Sequence, residues 1–431
     1  MSKTTALVRA TVLVLAAILL GGCGGQGREQ WFRGNIHAHS FWSDGRNFPE
    51  LVGDLYKSSG YQFLILTDHN ILSRGERWKD YDLKSKDWTA MLERAGRRFG
   101  DRWVETRVLN GKHQVRLKTY QEVAARLNEP GRFLLIQGEE ITTNFAKRTQ
   151  IHVNMLGCVE LIKPLAGKDE CDTLVKNVAA VHEQALAADK TILPMVNHPN
   201  WPRYSLTAED LAEVSDPCLL EILNPWDGAL FRGNARHPCH ERLWDIANTL
   251  RLVRGRDVLY GTATDDSHDY SNMSPTNANV TQGWVMVRAK ELSEKAILRA
   301  LTEGDFYFTN GLELETLEFD ASAGELRVSA RVEPGVHYAV EFYGTPEGCD
   351  LSSTPVACRD PDGKPGRASR KYSAEIGKRL ARVEGPTATY RLTGREMFVR
   401  AVVRSDRKML VPPQNEMEYE AAFTQPVGWR K

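Results

Sequence analysis

Hydrophobic and polar positions follow two textures along the chain. From residue 31 to about 310, apolar runs of strand length alternate with stretches of helical spacing. From about 312 onward the runs are shorter, alternate residue by residue, and are broken by Gly, Pro and Asp. The first unit is a strand over 31–36, a helix over 49–59 and a strand over 62–66. Pro49 suits the helix's first turn, and Leu51, Leu55 and Tyr56 share a face. Further strands are predicted near 133–136, 151–157, 192–196, 219–223, 258–260, 283–287 and 305–308. Helices are predicted at 119–127, 172–187, 208–214, 240–251 and 292–301. The pattern predicts an α/β domain over 31–310. The polar stretch 73–130, rich in Arg, Lys and Trp, interrupts it and reads as an insertion, either a lid over a site or a solvated decoration. Strands at 315–319, 325–332, 337–342, 387–392 and 397–403 predict a β-sandwich-like module over 312–425.

The apolar runs keep ending in metal-binding side chains. The first leads into His37-Ala38-His39, with Asp44 on a Ser-Asp-Gly turn. Others lead into Asp68-His69, Glu139-Glu140, Asn197-His198, Asn224 and Asp265-Asp266-Ser267-His268. His152 and Asn154 are two apart on an alternating strand and face one side. In a barrel of parallel strands the carboxyl ends converge on one face, so these residues would gather there. His182, in mid-helix, and His337, in the C-terminal module, fall outside the pattern and receive no metal role.

Charge and cysteines narrow the picture further. The 431 residues carry 56 basic and 56 acidic residues, which gives no electrostatic reason to expect a nucleic-acid partner. Lys3 and Arg9, the apolar run 10–20 and Gly21-Gly22-Cys23 read as an export signal over 1–22. Cysteine in that place resembles a lipobox, which implies lipidation of Cys23, a tether over 23–30 and a membrane-anchored protein of the cell envelope; an ordinary signal peptide is the competing reading. In an oxidising compartment Cys349 and Cys358, flanking a Ser/Thr/Pro loop, are the expected disulfide. Cys158, Cys171, Cys218 and Cys239 contain no CxxC spacing for a structural zinc site.

Taken together, the motifs over about 32–310 resemble the PHP (polymerase and histidinol phosphatase) superfamily. Thr67-Asp68-His69-Asn70, His152-Val153-Asn154 and Asp265-Asp266-Ser267-His268 resemble its carbaryl-hydrolase-type branch. The resemblance implies a distorted (β/α)7 barrel holding two or three divalent ions. It implies His37, His39 and Asp266 at the first metal, Glu140 as the carboxylate bridging the first two, and His152 and His198 at the second. Asp44, His69 and His268 would serve the third. Glu139 competes with Glu140 for the bridge, but the family's Gly-x-Glu spacing favours Glu140. Asp68 and Asp265 fit outer-shell roles, and Glu140, Asp266 and His268 are the ligands placed closest to catalysis.

Mixed imidazole and carboxylate donors suit Zn²⁺, Mn²⁺ or Fe²⁺ better than Ca²⁺ or Mg²⁺. The implied reaction is hydrolysis by a metal-bound hydroxide. Phosphate esters are the leading substrate class, and carbamates, esters or amides are the alternative. Asn154, Trp201, Arg203 and Trp226 are the candidate substrate contacts, with Arg74 and Lys79 as further cations. The substrate would be a small molecule or glycan-linked. A binding lipoprotein without catalysis is the reading from a different class.

Overall fold

The computed structural model describes residues 29–145, 149–201, 206–226, 229–271, 279–357, 367, 369–411 and 416–430. Cys23 and the export signal, Arg203 and Cys358 lie outside the described residues, and with them the expected lipidation and the Cys349–Cys358 pairing. The chain opens with β1 (Gln30–Asn35), α1 (Pro49–Ser58) and β2 (Phe63–Leu66). Next come β3 (Arg77–Tyr81), α2 (Lys86–Phe99), β4 (Thr106–Leu109), β5 (Lys112–Leu117) and α3 (Tyr120–Leu127). Then follow β6 (Leu134–Phe145), β7 (Thr149–Leu156), α4 (Glu170–Ala188), β8 (Leu193–Val196), α5 (Ala208–Glu213), β9 (Leu219–Leu223), α6 (His240–Val253) and β10 (Tyr260–Ala263). After β11 (Trp284–Ala289), α7 (Glu294–Glu303) and β12 (Phe306–Thr309), the rest is strand: β13 (Leu314–Asp320), β14 (Glu325–Ala330), β15 (Tyr338–Pro346), β16 (Ser353–Val356), β17 (Ser369–Tyr372), β18 (Lys378–Glu384), β19 (Thr387–Arg391), β20 (Glu396–Val411) and β21 (Glu416–Thr424).

The architecture is mixed α/β around one 13-stranded sheet in the order β10-β9-β8-β7-β6-β2-β1-β11-β12-β21-β20-β15-β18. β1, β2 and β6 run parallel, as do β8, β9 and β10. β7 departs from the all-parallel expectation, being antiparallel to both β6 and β8. The reason is length: only residues 146–148 separate β6 from β7, and a parallel crossover needs a dozen or more residues. From β10 the chain returns towards β1 through a parallel bridge between Ala38 and Ser267.

Local chemistry sets the element ends. Thr119 caps α3: its hydroxyl accepts from the Glu122 amide and the Glu122 carboxylate accepts from the Thr119 amide, closing a capping box. At Gly45 a Cβ would lie 2.5 Å from backbone atoms of His39 and Ser40, so only glycine lets the Ser-Asp-Gly turn fold back and carry Asp44 to His39.

Stretch 73–130 is an ordered three-stranded sheet (β3-β5-β4) with α2 and α3. Of these elements the hydrophobic pattern predicts only α3. C-terminal strands β21, β20, β15 and β18 continue the main sheet through the β12–β21 pairing, and β13-β14-β19 form a second sheet. Arg400 on β20 is buried and grips Asp245 on α6 with two parallel hydrogen bonds of 2.9 and 2.8 Å. The Gln425 side chain, just past β21, accepts from the Gly261 amide at 2.8 Å and donates to the Gly261 carbonyl at 2.9 Å. These contacts satisfy backbone groups of β10, the last strand of the ladder.

Candidate metal centre

The cluster assembles because strand ends and two mid-strand positions aim at one point. His37 and His39 follow β1, His69 follows β2, and Glu140 lies within β6, bridged to His69. His152 comes from the amino-terminal half of the reversed strand β7, so β7 delivers it to the same side as the carboxyl ends of its parallel neighbours. His198 follows β8, and Asp266 and His268 follow β10. His198 (φ 20) and Asp266 (φ 45) sit in left-handed backbone, a conformation costing about 1–3 kcal/mol for such residues and retained where the surroundings enforce it.

All nine predicted ligands fall into four overlapping donor groups, each with its atoms within 4.8 Å of one another. The groups are His37/His39/Asp266, His37/Glu140/His198, His69/Glu140/His152 and His39/Asp44/His69/His268. Tetrahedral bonds of roughly 2.1 Å put ligand atoms about 3.4 Å apart. His37 Nε2 lies 3.4 Å from Glu140 Oε2 and 3.2 Å from Asp266 Oδ1, and His39 Nε2 lies 3.2 and 3.1 Å from the same two oxygens. Glu140 faces two ways. Its Oε2 meets His37, His39 and, at 3.0 Å, His69 Nδ1, while its Oε1 meets His152 Nδ1 at 2.9 Å and His198 Nε2 at 3.7 Å.

Buried polar atoms test whether a cation fits. His37 Nε2, Glu140 Oε2 and both ring nitrogens of His152 are buried without a hydrogen-bond partner. Leaving such atoms unpaired costs about 1–3 kcal/mol each, and a shared divalent cation would satisfy them. His152 fits a ligand further: burial, opposed by Glu140, holds its pKa down to about 4, so it stays a neutral donor. Burial opposes charge at His69, but Glu140 and Asp44 outweigh it and push the pKa up to about 9; protons and cations therefore compete for this ring. At Glu140 burial is likewise overcome, here by His69, His37 and His152, and its pKa falls well below the usual range.

A neutral imidazole offers one lone pair. His37, His39 and His69 each belong to two groups, so each ring serves only one ion at a time unless both of its nitrogens are deprotonated.

Outer residues fix ring orientation. His37 Nδ1 lies 2.9 Å from Glu221 Oε1, which leaves Nε2 for the cluster. Glu221 also accepts from the His198 amide at 2.8 Å, from Asn224 Nδ2 at 2.9 Å and from the Thr264 hydroxyl. Asn197 Nδ2 donates to Glu140 Oε1 at 2.8 Å and to Asn154 Oδ1 at 2.9 Å. The sequence assigned no role to Glu221 or Asn197. For Glu221 the available signal was an acid inside the apolar strand Leu219–Leu223.

The other predicted residues separate. Asp68 accepts from the amides and hydroxyls of Ser40 and Ser43, so it holds the loop between His39 and Asp44. Asp265 turns away: its carboxylate takes the amides of Thr281, Gln282 and Gly283 and the Tyr56 and Tyr61 hydroxyls, and it reaches the cluster only through the chain to Asp266. Asn154 is fully buried and donates to the Ile36 carbonyl at 3.2 Å, so it ties β7 to the end of β1 and offers nothing to a substrate. Arg74 is engaged by Glu160, away from the cluster. Glu139 points to the opposite face of β6, where it accepts from the Ile162 amide at 2.9 Å and burial lifts its pKa to about 7.

Trp201 and Trp226 do border the cluster. With Asp44, Thr142 and Gln150 they enclose a cavity of about 320 Å³. The Trp226 ring lies 4.6 Å from His268 and the Trp201 ring 5.7 Å from His198, centroid to centroid.

Neither a family model nor a curated protein matches the chain. Among solved structures it is similar to a two-domain protein containing a predicted PHP-like metal-dependent phosphoesterase from Bacteroides vulgatus. That similarity has 15% identity, covers 91% of this chain and 95% of that one, and has a TM-score of 0.35. It is also similar to an amidohydrolase with bound sulfate from Chromobacterium violaceum, at 14% identity over 55% of this chain and 87% of that one, with a TM-score of 0.26. At these scores the likeness decides nothing about activity, and the donor set must. The fold and site define an α/β protein with a candidate centre for divalent cations.

Proposed function

We propose that the chain is a metal-dependent hydrolase of the PHP superfamily, in its carbaryl-hydrolase-type branch, that cleaves phosphate esters. We further propose that it is exported and tethered to a membrane of the cell envelope by lipid at Cys23. The observation that carries the hydrolase reading is Glu140, whose two oxygens face separate imidazole sets. Divalent cations held there would lower the pKa of water and neutralise charge developing on a phosphoryl oxygen.

The chain's own groups supply the rest. Asp266 lies between His37, His39 and His268 and keeps their rings turned inward. Asp44, 59% exposed, stands on the open side of the group it forms with His39, His69 and His268. A phosphate ester presents several oxygens, which suits overlapping donor groups. A second reading, hydrolysis of carbamates, esters or amides, is favoured by the two indoles beside the cluster, which would stack on a flat leaving group.

Metal-replete protein should hydrolyse aryl phosphates faster than the matching aryl esters and carbamates. Initial rates across that matched panel decide the order. The reverse order would move the reading to the second class, and no turnover on any member would favour a binding protein.

A further inference from the structure

The insertion lays two cations over the aromatic residues that follow His39 in the chain. On β3, Arg77, Lys79 and Tyr81 share one face by the strand's two-residue period, and that face lies against residues immediately following His39. The Arg77 guanidinium carbon is 5.6 Å from the Trp42 ring centroid, and Lys79 Nζ is 4.7 Å from that of Phe41. Both rings are fixed from behind: Phe41 stacks on Trp88 at 4.7 Å, and buried Trp42 donates its indole N–H to the Lys118 carbonyl at 2.8 Å.

Neighbouring cations on the insertion are paired: Lys112 with Asp80, and Arg116 and Lys118 with Glu105. Arg77 and Lys79 have no carboxylate within ion-pair reach among the described residues, and both are half-buried. Burial and the neighbouring Arg77 oppose the Lys79 charge, and Asp68 and Asp44 favour it at longer range. A cation resting on an aromatic face keeps its donors for an incoming anion, whereas one held in a salt bridge has spent them.

We infer that Arg77 and Lys79 form the anion-binding part of the substrate site, recognising a phosphate-monoester dianion at the Asp44 end of the cluster. The inference deepens the hydrolase reading and rests on it for the position of the reacting group. It gives the insertion a function, since β3 is the strand that carries both cations.

The test is calorimetric titration of inorganic phosphate into the metal-replete full-length protein, repeated for Arg77→Gln, Lys79→Gln, their double variant and Lys79→Arg. Circular dichroism and metal content are checked for each. Each Gln change should weaken phosphate binding about tenfold, the worth of a hydrogen bond to a charged group. Lys79→Arg should restore most of the affinity, and metal content should not change. Unaltered phosphate affinity in the folded double variant would overturn the inference, as would a wild-type protein that does not bind phosphate. Failure of the hydrolase reading would show separately, as missing turnover on every ester while the effect on phosphate binding persists.

Discussion

Glu140→Ala should lower turnover by about 1,000-fold or more, a loss near 4 kcal/mol of transition-state stabilisation. No other side chain in the cluster meets so many of its imidazoles: Glu140 faces His37, His39 and His69 with one oxygen and His152 and His198 with the other. Its removal takes a ligand from two donor groups at once and leaves His152 with no acidic partner among the described residues. Asp44→Ala should cost less, because Asp44 is mostly exposed and belongs to one group. Glu139→Ala should keep the metals, since that carboxylate meets the Ile162 amide on the far face of the strand. kcat/KM and metal content measured on the three variants give the order. A smaller effect for Glu140→Ala than for Glu139→Ala would assign the bridge to the wrong carboxylate.

The second large effect lies away from the cluster. Asp245→Ala should destabilise the fold by about 3 kcal/mol, because it leaves the Arg400 guanidinium buried with only Glu241, at 3.2 Å, as an acidic partner among the described residues. The loss falls where the C-terminal sheet meets α6, and the site should feel it only through unfolding. Replacing both partners with apolar residues, Asp245→Leu with Arg400→Met, should recover most of the stability, since removing a buried pair whole avoids the stranded charge. Urea unfolding midpoints of the single and double variants test this. A double variant no more stable than Asp245→Ala would mean that the side chains' shape, and not their charge, holds the sheets together.

What was legible in the sequence follows from how each feature is encoded. His37, His39, His69, His198 and His268 at apolar strand ends, and His152 within one, stand out because imidazoles in apolar surroundings are chemically conspicuous, and the structure brings them into one cluster. Helix α1 announces itself through Pro49 and the shared face of Leu51, Leu55 and Tyr56. The insertion sheet did not: β3, β4 and β5 have few buried positions, so no hydrophobic alternation marks them. Asn154 was misread because its position predicts which way it faces but not what lies there, and the Ile36 carbonyl comes from a strand remote in sequence. Glu221 was passed over because a single acid in an apolar strand gives no sign of its distant partner His37. The reversal of β7 was written in the length of the link before it, a feature that hydrophobic periodicity does not weigh.

On the proposed function, this chain folds around a cluster of divalent cations. Elemental analysis of protein purified without chelators from metal-replete culture tests it most directly. Two or three transition-metal ions per chain are expected, falling sharply in Glu140→Ala and in a His37→Ala/His39→Ala variant that remains folded. Less than one ion per chain in the wild-type protein would contradict it.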